Sequence, residues 1–377
     1  MAKNIDSYQK LIERYKRTLL SPPDSETLLR MIEYHITPEE ADFLVRLSYS
    51  PSTPRKLSKR LGVPVEELME KLDIFAKRGL VFRKKGETPN KNLYRLSDMF
   101  FSFYRMPWWA GKDDQYHRDL APLVNQYYIN KMAGELTGYH TQGLRSVPVN
   151  QTVEDPRTII PYEDIVNLMD EMEYYSVSNC ACRQRHNMDP NFEESKYPLH
   201  VCFHFNDLGR YCDDIGVGTN VSKEEVLEML KNCADAGLVH GLSNQISEAD
   251  TLCNCDPDYC LFLEPIVKMP GIVPRGHQHS NYIREIDEEK CVKCGLCAKK
   301  CPIHAIEFIK EEKKLNFTPE RCLGCGVCAH LCPKDAISMK KRDEDVDVPK
   351  DLMDFVMRLI KERGIDFATW TKNDPDK

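Results

Sequence analysis

Apolar residues recur at three- and four-residue intervals through the first hundred positions. Residues 5–20 place Tyr8, Leu11, Ile12, Tyr15 and Leu19 at helical spacing among charges, which predicts a helix stopped by Ser21-Pro22-Pro23. A second helix is predicted over 24–34. Thr37-Pro38-Glu39-Glu40 offers a cap, a first-turn proline and a capping-box glutamate, so a third helix starts there. Thr53-Pro54 starts another, ending near Gly62. Pro64 starts the next, with Leu68, Leu72, Ile74, Phe75 and Leu80 as its apolar positions. The period then changes. Residues 81–83 and 92–96 read as two strands joined by a charged turn at Gly86.

Beyond this hairpin comes the aromatic run Phe100, Phe101, Phe103, Tyr104, Trp108 and Trp109, which is expected to bridge domains or to meet a partner. Residues 113–145 read as helical and 145–161 as an extended connection. A strand is expected at Thr158-Ile159-Ile160, a helix from Pro161 to about Met172, and a strand over 174–179 leading into Cys180-Ala181-Cys182-Arg183. If that stretch stays extended, Cys180 and Cys182 share a face. Residues 200–205 alternate, with Val201, Phe203 and Phe205 on one side and His200, Cys202 and His204 on the other. Ser222-x-x-Glu225 is a capping box for a helix reaching Asp235, and residues 237–240 turn into a strand. Cys253-Asn254-Cys255 and Cys260 are expected on a later loop.

Six of these cysteines, Cys180, Cys182, Cys202, Cys253, Cys255 and Cys260, are candidates to converge on a metal centre, another iron–sulfur cluster or zinc. The first four ligands chosen are Cys180, Cys182, Cys202 and Cys255. A redox-active dithiol and plain unmetallated cysteines are the rival readings. Arg183 and Arg185 can balance thiolate charge. His186, His200 and His204 read as ordinary polar residues, Cys233 as a buried helix residue, and Cys212 as an unplaced residue in a polar loop.

The densest chemistry lies further on. Cys291-x2-Cys294-x2-Cys297-x3-Cys301-Pro302 is repeated as Cys322-x2-Cys325-x2-Cys328-x3-Cys332-Pro333. A [4Fe–4S] cubane needs four thiolates, and in this run the fourth cysteine serves the other cluster. The expected sets are Cys291, Cys294, Cys297 and Cys332 for one cluster, and Cys322, Cys325, Cys328 and Cys301 for the second. Paired Cys-x2-Cys motifs also bind zinc, but the three-residue intervals, the fourth cysteine and the following proline favour clusters. Residues 281–340 resemble the bacterial-type dicluster ferredoxin. That resemblance implies one-electron transfer between two closely held clusters.

Composition narrows the picture. Of 377 residues, 41% are hydrophobic and 29% charged, with no apolar run long enough to span a bilayer. The polar start, Met1 to Lys10, reads as lacking a signal peptide, and sixteen cysteines in such a chain point to metal ligation in an anaerobic cytoplasm. The net charge of −7 is uneven: residues 1–105 carry 20 Lys and Arg against 14 Asp and Glu, the remainder 32 against 45. Neither a dinucleotide-binding glycine motif nor a phosphate-binding loop occurs.

Residues 37–98 resemble a winged helix. Its third helix opens on Glu66, Glu67, Glu70 and Asp73, which oppose a DNA phosphate backbone, so protein docking is the expected use. The whole order resembles a family of multidomain 4Fe–4S binding proteins of anaerobic bacteria and archaea. The expected fold is α+β and multidomain: N-terminal helices and a winged-helix-like module over 1–105, a helical connection over 106–146, a Cys-rich α/β domain over 147–269, a dicluster ferredoxin fold over 270–341, and a closing helix and tail over 342–377. The expected function is electron transfer, as a subunit of an oxidoreductase complex, to or from a partner redox enzyme. The alternatives are a redox-responsive winged-helix regulator and an oxidoreductase with its own substrate site.

Overall fold

The computed structural model describes residues 2–18, 20–153, 159–268 and 276–365. The expectations at Leu19, at Thr158, over 270–275 and over most of the tail lie outside them.

The N-terminal unit follows its caps. Helix Ala2–Tyr15 packs against helix Pro38–Val45, whose Thr37–Glu40 capping box forms in both directions. Helices Pro54–Leu61 and Val65–Lys77 follow, then strands β1 (Val81–Lys84) and β2 (Leu93–Leu96), paired antiparallel. Leu68, Leu72 and Phe75 are buried, but Ile74 faces solvent, against expectation, because it sits off that stripe.

The aromatic run forms a π-helical segment, Phe100–Arg105, continued by helix Met106–Trp109. Phe103, Tyr104, Trp108 and Trp109 are buried, with Phe100 against Phe262 and Trp109 against His204. The run therefore lies between the N-terminal helices and the middle sheet. The expected long helix over 113–145 is helix Gln115–Tyr127, a π-turn and helix Ala133–Thr137; residues 144–146 already form a strand.

That strand, β3 (Leu144–Ser146), edges a six-stranded antiparallel sheet with β4 (Tyr175–Asn179), β5 (His200–Phe205), β6 (Thr219–Asn220), β7 (Val239–Ser243) and β8 (Thr251–Cys255), in the order β3-β7-β8-β5-β4-β6. Alternation divides its faces. Val177, Phe203, Phe205, Leu242 and Leu252 pack with helices Ile165–Asp170 and Lys223–Ala236 in one core. Cys202, Cys253 and Cys255 project toward the aromatic run. Several expectations are corrected here. Ile159 and Ile160 are not in a strand, and the helix expected from Pro161 is a 3-10 turn followed by the short helix Ile165–Asp170. Cys212 is no loop residue: it is fully buried in helix Asn206–Asp214, which docks on β1.

The C-terminal unit pairs β9 (Tyr282–Ile286) with β12 (Ile337–Lys341), and β10 (Ile306–Ile309) with β11 (Lys314–Phe317). Helix Leu352–Glu362 closes the chain and returns to the helical connection: Glu362 accepts from Thr141 N–H at 3.0 Å, and Arg363 pairs with Glu135 at 2.8 Å. Leu359 and Ile360 are buried, whereas Leu352 is exposed.

Candidate metal centres

The two cysteine runs fold into equivalent loops, each ending in a short helix that starts from a left-handed glycine, Gly295 or Gly326. A side chain at Gly295 would meet the Phe308 ring at 2.4 Å, so both its φ of +74° and its neighbour demand glycine. Cys291, Cys294, Cys297 and Cys332 line one small cavity of about 20 Å³. Cys301 lies beside Cys322, Cys325 and Cys328, whose charges act on one another. The sulfurs thus assemble in two crossed groups, three from one loop and one from the other. The backbone N–H of Ala305 donates to Cys301 Sγ at 3.2 Å, and that of Ala336 to Cys332 Sγ at 3.4 Å. Such bonds stabilise thiolate charge and tune cluster potential. The two groups differ in exposure. Cys294 faces solvent, while Cys325 is buried and its thiol is pushed up to about 12 by that burial.

In the middle unit, Cys180, Cys182, Cys202, Cys253, Cys255 and Cys260 all line one cavity of about 40 Å³. Their routes there differ from expectation. Cys180 is the N-cap of helix Ala181–Asn187 and Cys182 lies in its first turn, so the two do not share a strand face. They still come into mutual hydrogen-bonding reach because the helix starts at the sheet end. Cys253 and Cys255 belong to β8, not to a loop, and the strand period points both the same way, with Asn254 opposite. Asn254 is fixed there, donating to Val201 O at 2.9 Å and contacting His240 Nδ1 at 2.7 Å.

Hydrogen-bonding contacts run from Cys180 to Cys182, Cys260, Cys255, Cys253 and Cys202 in turn. This chain polarises its members. Contacts from Cys202 and Cys255 hold Cys253 well below the ordinary thiol range despite burial, with Arg105 and His277 adding to the effect. Burial opposes the charge on Cys260. Contacts from Cys182 and Cys255, and the backbone N–H groups of Phe262 and Leu263, bring it down to about 5 all the same. Burial also opposes the Arg183 charge, yet Cys180, Asp256, Cys255 and Cys182 raise its pKa. Arg183 is anchored by Asn254 O at 2.9 Å and Pro198 O at 2.7 Å. Six sulfurs, two of them favouring the thiolate, with a buried guanidinium beside them, make a donor set that fits a soft metal centre.

Phe100, Tyr104, Arg105, Trp109 and Phe262 complete the cavity wall. The aromatic bridge is therefore also the lid of the cysteine site, a role the sequence does not disclose because these residues precede the first of the cysteines by some seventy positions. His277 is the other residue missed. Its ligating nitrogen and the sulfurs of Cys255 and Cys260 lie within 4.8 Å of one another, all buried. In the sequence it stands only as one of two histidines in the Pro- and Gly-containing stretch from Pro270 to His279. His186 contacts Cys182 O through Nδ1 at 2.8 Å, and His200 contacts Asn179 through Nδ1 at 3.1 Å. Burial lowers His204 to about 3, and its ring packs at a tilt against Trp109, the centroids 4.3 Å apart.

Residues 284–339 match the family of 4Fe-4S dicluster domains, so this chain carries a ferredoxin-type dicluster domain at its C-terminal end. The chain is also similar to a 6-hydroxynicotinate reductase of Eubacterium barkeri, 55% identical over 29 residues. That match spans 8% of this chain and 6% of the reductase, so the chain covers only a small part of that relative's length. No solved structure matches. Among the described residues no helix is long and apolar enough to cross a membrane.

Proposed function

We propose that this protein is an electron-transfer subunit that passes single electrons through two [4Fe–4S] clusters to or from a partner redox enzyme, with a third metal centre in the middle unit. The crossed grouping of the eight C-terminal cysteines carries the reading: an interleaved set of this kind is what two cubanes require. Cys291, Cys294, Cys297 and Cys332 would hold the outer cluster, and Cys322, Cys325, Cys328 and Cys301 the inner one. Bound clusters supply one-electron redox chemistry; the chain's part is to exclude water, fix the thiolates and set their hydrogen bonds. The similarity to a reductase accords with delivery of electrons to a reduction.

The two units are packed for such a relay. Leu323, Cys325 and Val327 of the inner loop belong to the same apolar core as Cys255, Cys260 and Phe262. Ser280 donates its N–H to Leu323 O at 2.9 Å and its hydroxyl to Gly324 O at 2.8 Å, three residues beyond His277. The outer group faces solvent at Cys294, where a partner would exchange electrons.

We read residues 37–98 as a winged-helix-like module used for protein contact within the molecule. A DNA-binding regulator would present its hairpin cations to phosphate. Here Arg83 pairs with Asp73 and Asp214, Lys84 with Asp207 and Lys85 with Asp214. Iron, zinc and acid-labile sulfide counted on the anaerobically purified full chain test the proposal. About eight irons and eight sulfides are expected from the C-terminal unit, with further metal from the middle centre. Zinc without sulfide would end the electron-transfer reading.

A further inference from the structure

We infer that His277 supplies a nitrogen ligand to the middle-unit metal centre, next to Cys255 and Cys260, making it a mixed imidazole–thiolate site. This rests on the reading that the six cysteines there hold a metal.

The first ground is distance. Donors on one tetrahedral metal stand about 3.5 to 3.8 Å apart, given metal–sulfur bonds of about 2.3 Å and metal–nitrogen bonds of about 2.0 Å. The ligating atoms of Cys255, Cys260 and His277 lie within 4.8 Å of one another. A small inward movement brings all three onto one metal atom. Cys182 and Cys253, in contact with Cys260 and Cys255 respectively, stand ready to complete the coordination.

The second ground is the state of the imidazole. His277 is buried, and its Nδ1 lies 3.1 Å from Ser146 Oγ. Its Nε2 is also buried and has no hydrogen-bond partner among the described residues. A ligating histidine commonly donates its other ring N–H to a fixed neighbour, which sets the tautomer and leaves the ligating nitrogen its lone pair. Ser146 fills that place. Without a ligand, Nε2 is a buried polar atom with nothing to offset its lost hydration.

The third ground is that the ring is held. Gln278 N–H donates to Leu144 O at 2.8 Å, and Ser146 N–H to Gln278 O at 2.8 Å, so Gln278 forms a parallel bridge with Arg145 of β3. Behind the ring is Gly241 of β7, where a Cβ would lie 2.6 Å from His277 Cε1. The sheet leaves out one side chain at the point where the imidazole sits.

The consequence is electrical. Imidazole is neutral where a thiolate carries a negative charge, so a centre with one imidazole accepts an electron more readily than an all-thiolate centre. The two C-terminal clusters have thiolates alone. Where the bound metal is redox-active, the middle centre is then the electron sink and flow runs from the exposed Cys294 side inward; a zinc centre would carry no electron.

The test uses the full chain, purified anaerobically, with ¹⁵N confined to histidine imidazoles. Metal is counted first. Where the centre is paramagnetic, pulsed electron paramagnetic resonance reads ¹⁵N coupling; where it is zinc, absorption at the zinc edge reads a short nitrogen shell. The expected result is metal beyond the eight cluster irons together with a histidine-nitrogen signal. His277→Ala loses that signal, and Gly241→Ala weakens it by crowding the ring. For a redox-active centre, His277→Cys keeps the metal and lowers the midpoint potential, which a merely structural histidine would not do. Extra metal with an all-sulfur first shell overturns the inference and leaves the third centre standing. No metal beyond the C-terminal clusters removes the third centre and this ligand with it.

Discussion

His35 sits fully buried at the end of helix Glu26–His35, between Arg78, His117 and the Tyr116 hydroxyl. Burial, with Arg78 and His117 adding to it, lowers its pKa from 6.5 to about 3. The folded state therefore keeps this ring neutral while the unfolded chain takes up a proton below pH 6.5. The stability it contributes is present above that pH and lost as pH falls toward 3. Between neutral pH and pH 5 the loss is about 2 kcal/mol, from about 1.4 kcal/mol per pH unit below 6.5. His35→Gln removes the titration, so its stability relative to the native chain should rise by that amount on going from pH 7.5 to pH 5. Anaerobic denaturation at the two pH values measures it; an unchanged difference would mean His35 is not held neutral. At this scale the sequence spoke clearly wherever a residue's role depends on its neighbours in the chain. Thr37 and Ser222 cap as their motifs require, and Gly62 and Gly237 take the left-handed conformation that ends their helices. Cys180 and Cys182 were misread because a Cys-x-Cys triplet is too short to show a period. Whether it continues the strand or opens a helix is decided by packing against Met106–Trp109.

Elements dock here through charge and aromatic contact together. Strand β1 lies on helix Asn206–Asp214: Phe82 meets the Tyr211 ring at 4.5 Å, Tyr211 OH donates to Ala76 O at 2.8 Å, and Arg83 reaches both Asp73 at 2.8 Å and Asp214. Arg83 is almost wholly buried, and these carboxylates are the partners of its buried charge. Removing one partner of a buried pair costs about 3 to 5 kcal/mol, and Asp73 retains part of the interaction. Asp214→Ala should therefore weaken this contact by about 2 kcal/mol, and hydrogen exchange should quicken across 81–96 while β9 and β12 stay protected. Equal exchange in both proteins would show that the aromatic contact alone holds the hairpin. This docking was beyond the sequence. The helix that receives β1 reads Asn-Asp-Leu-Gly-Arg-Tyr-Cys-Asp-Asp, whose three buried side chains, Leu208, Tyr211 and Cys212, are masked by charges and a glycine. Gly209 is there for closeness, since a Cβ would lie 2.7 Å from His204 O. The Cys runs, by contrast, could be read because their spacing is itself the geometry of a loop around a cluster.

Across the whole molecule, burial sets an order on the metal centres. The outer C-terminal group includes exposed Cys294, with Val292 beside it also exposed. The inner group is the more covered of the two: Cys325 is buried and Cys301, Cys322 and Cys328 are half-buried, a Cβ at neighbouring Gly324 would meet Ser280 and Tyr282, and Leu323 and Val327 are buried on either side. The chain closes over this group through Arg342, which donates to Cys322 O at 2.7 Å and Ser280 O at 3.0 Å, and through Glu163, which accepts from Asn281 N–H at 3.1 Å. The order of units along the chain was legible, but this enclosure was not, since Glu163 and Asn281 stand 118 positions apart. A chelator or oxidant reaches iron through the solvent-facing thiolates, so the proposed outer cluster should be lost first. Treatment of the full chain with oxygen and an iron chelator is expected to release iron in two phases, the first of about four irons, one cubane. Cysteine alkylation followed by mass spectrometry should label Cys291, Cys294 and Cys297 in that phase and Cys322, Cys325 and Cys328 only in the second. Arg342→Ala, which loosens the cover, should bring the second phase forward without altering the first. Simultaneous labelling of both groups in the native chain would show that burial does not order the two clusters.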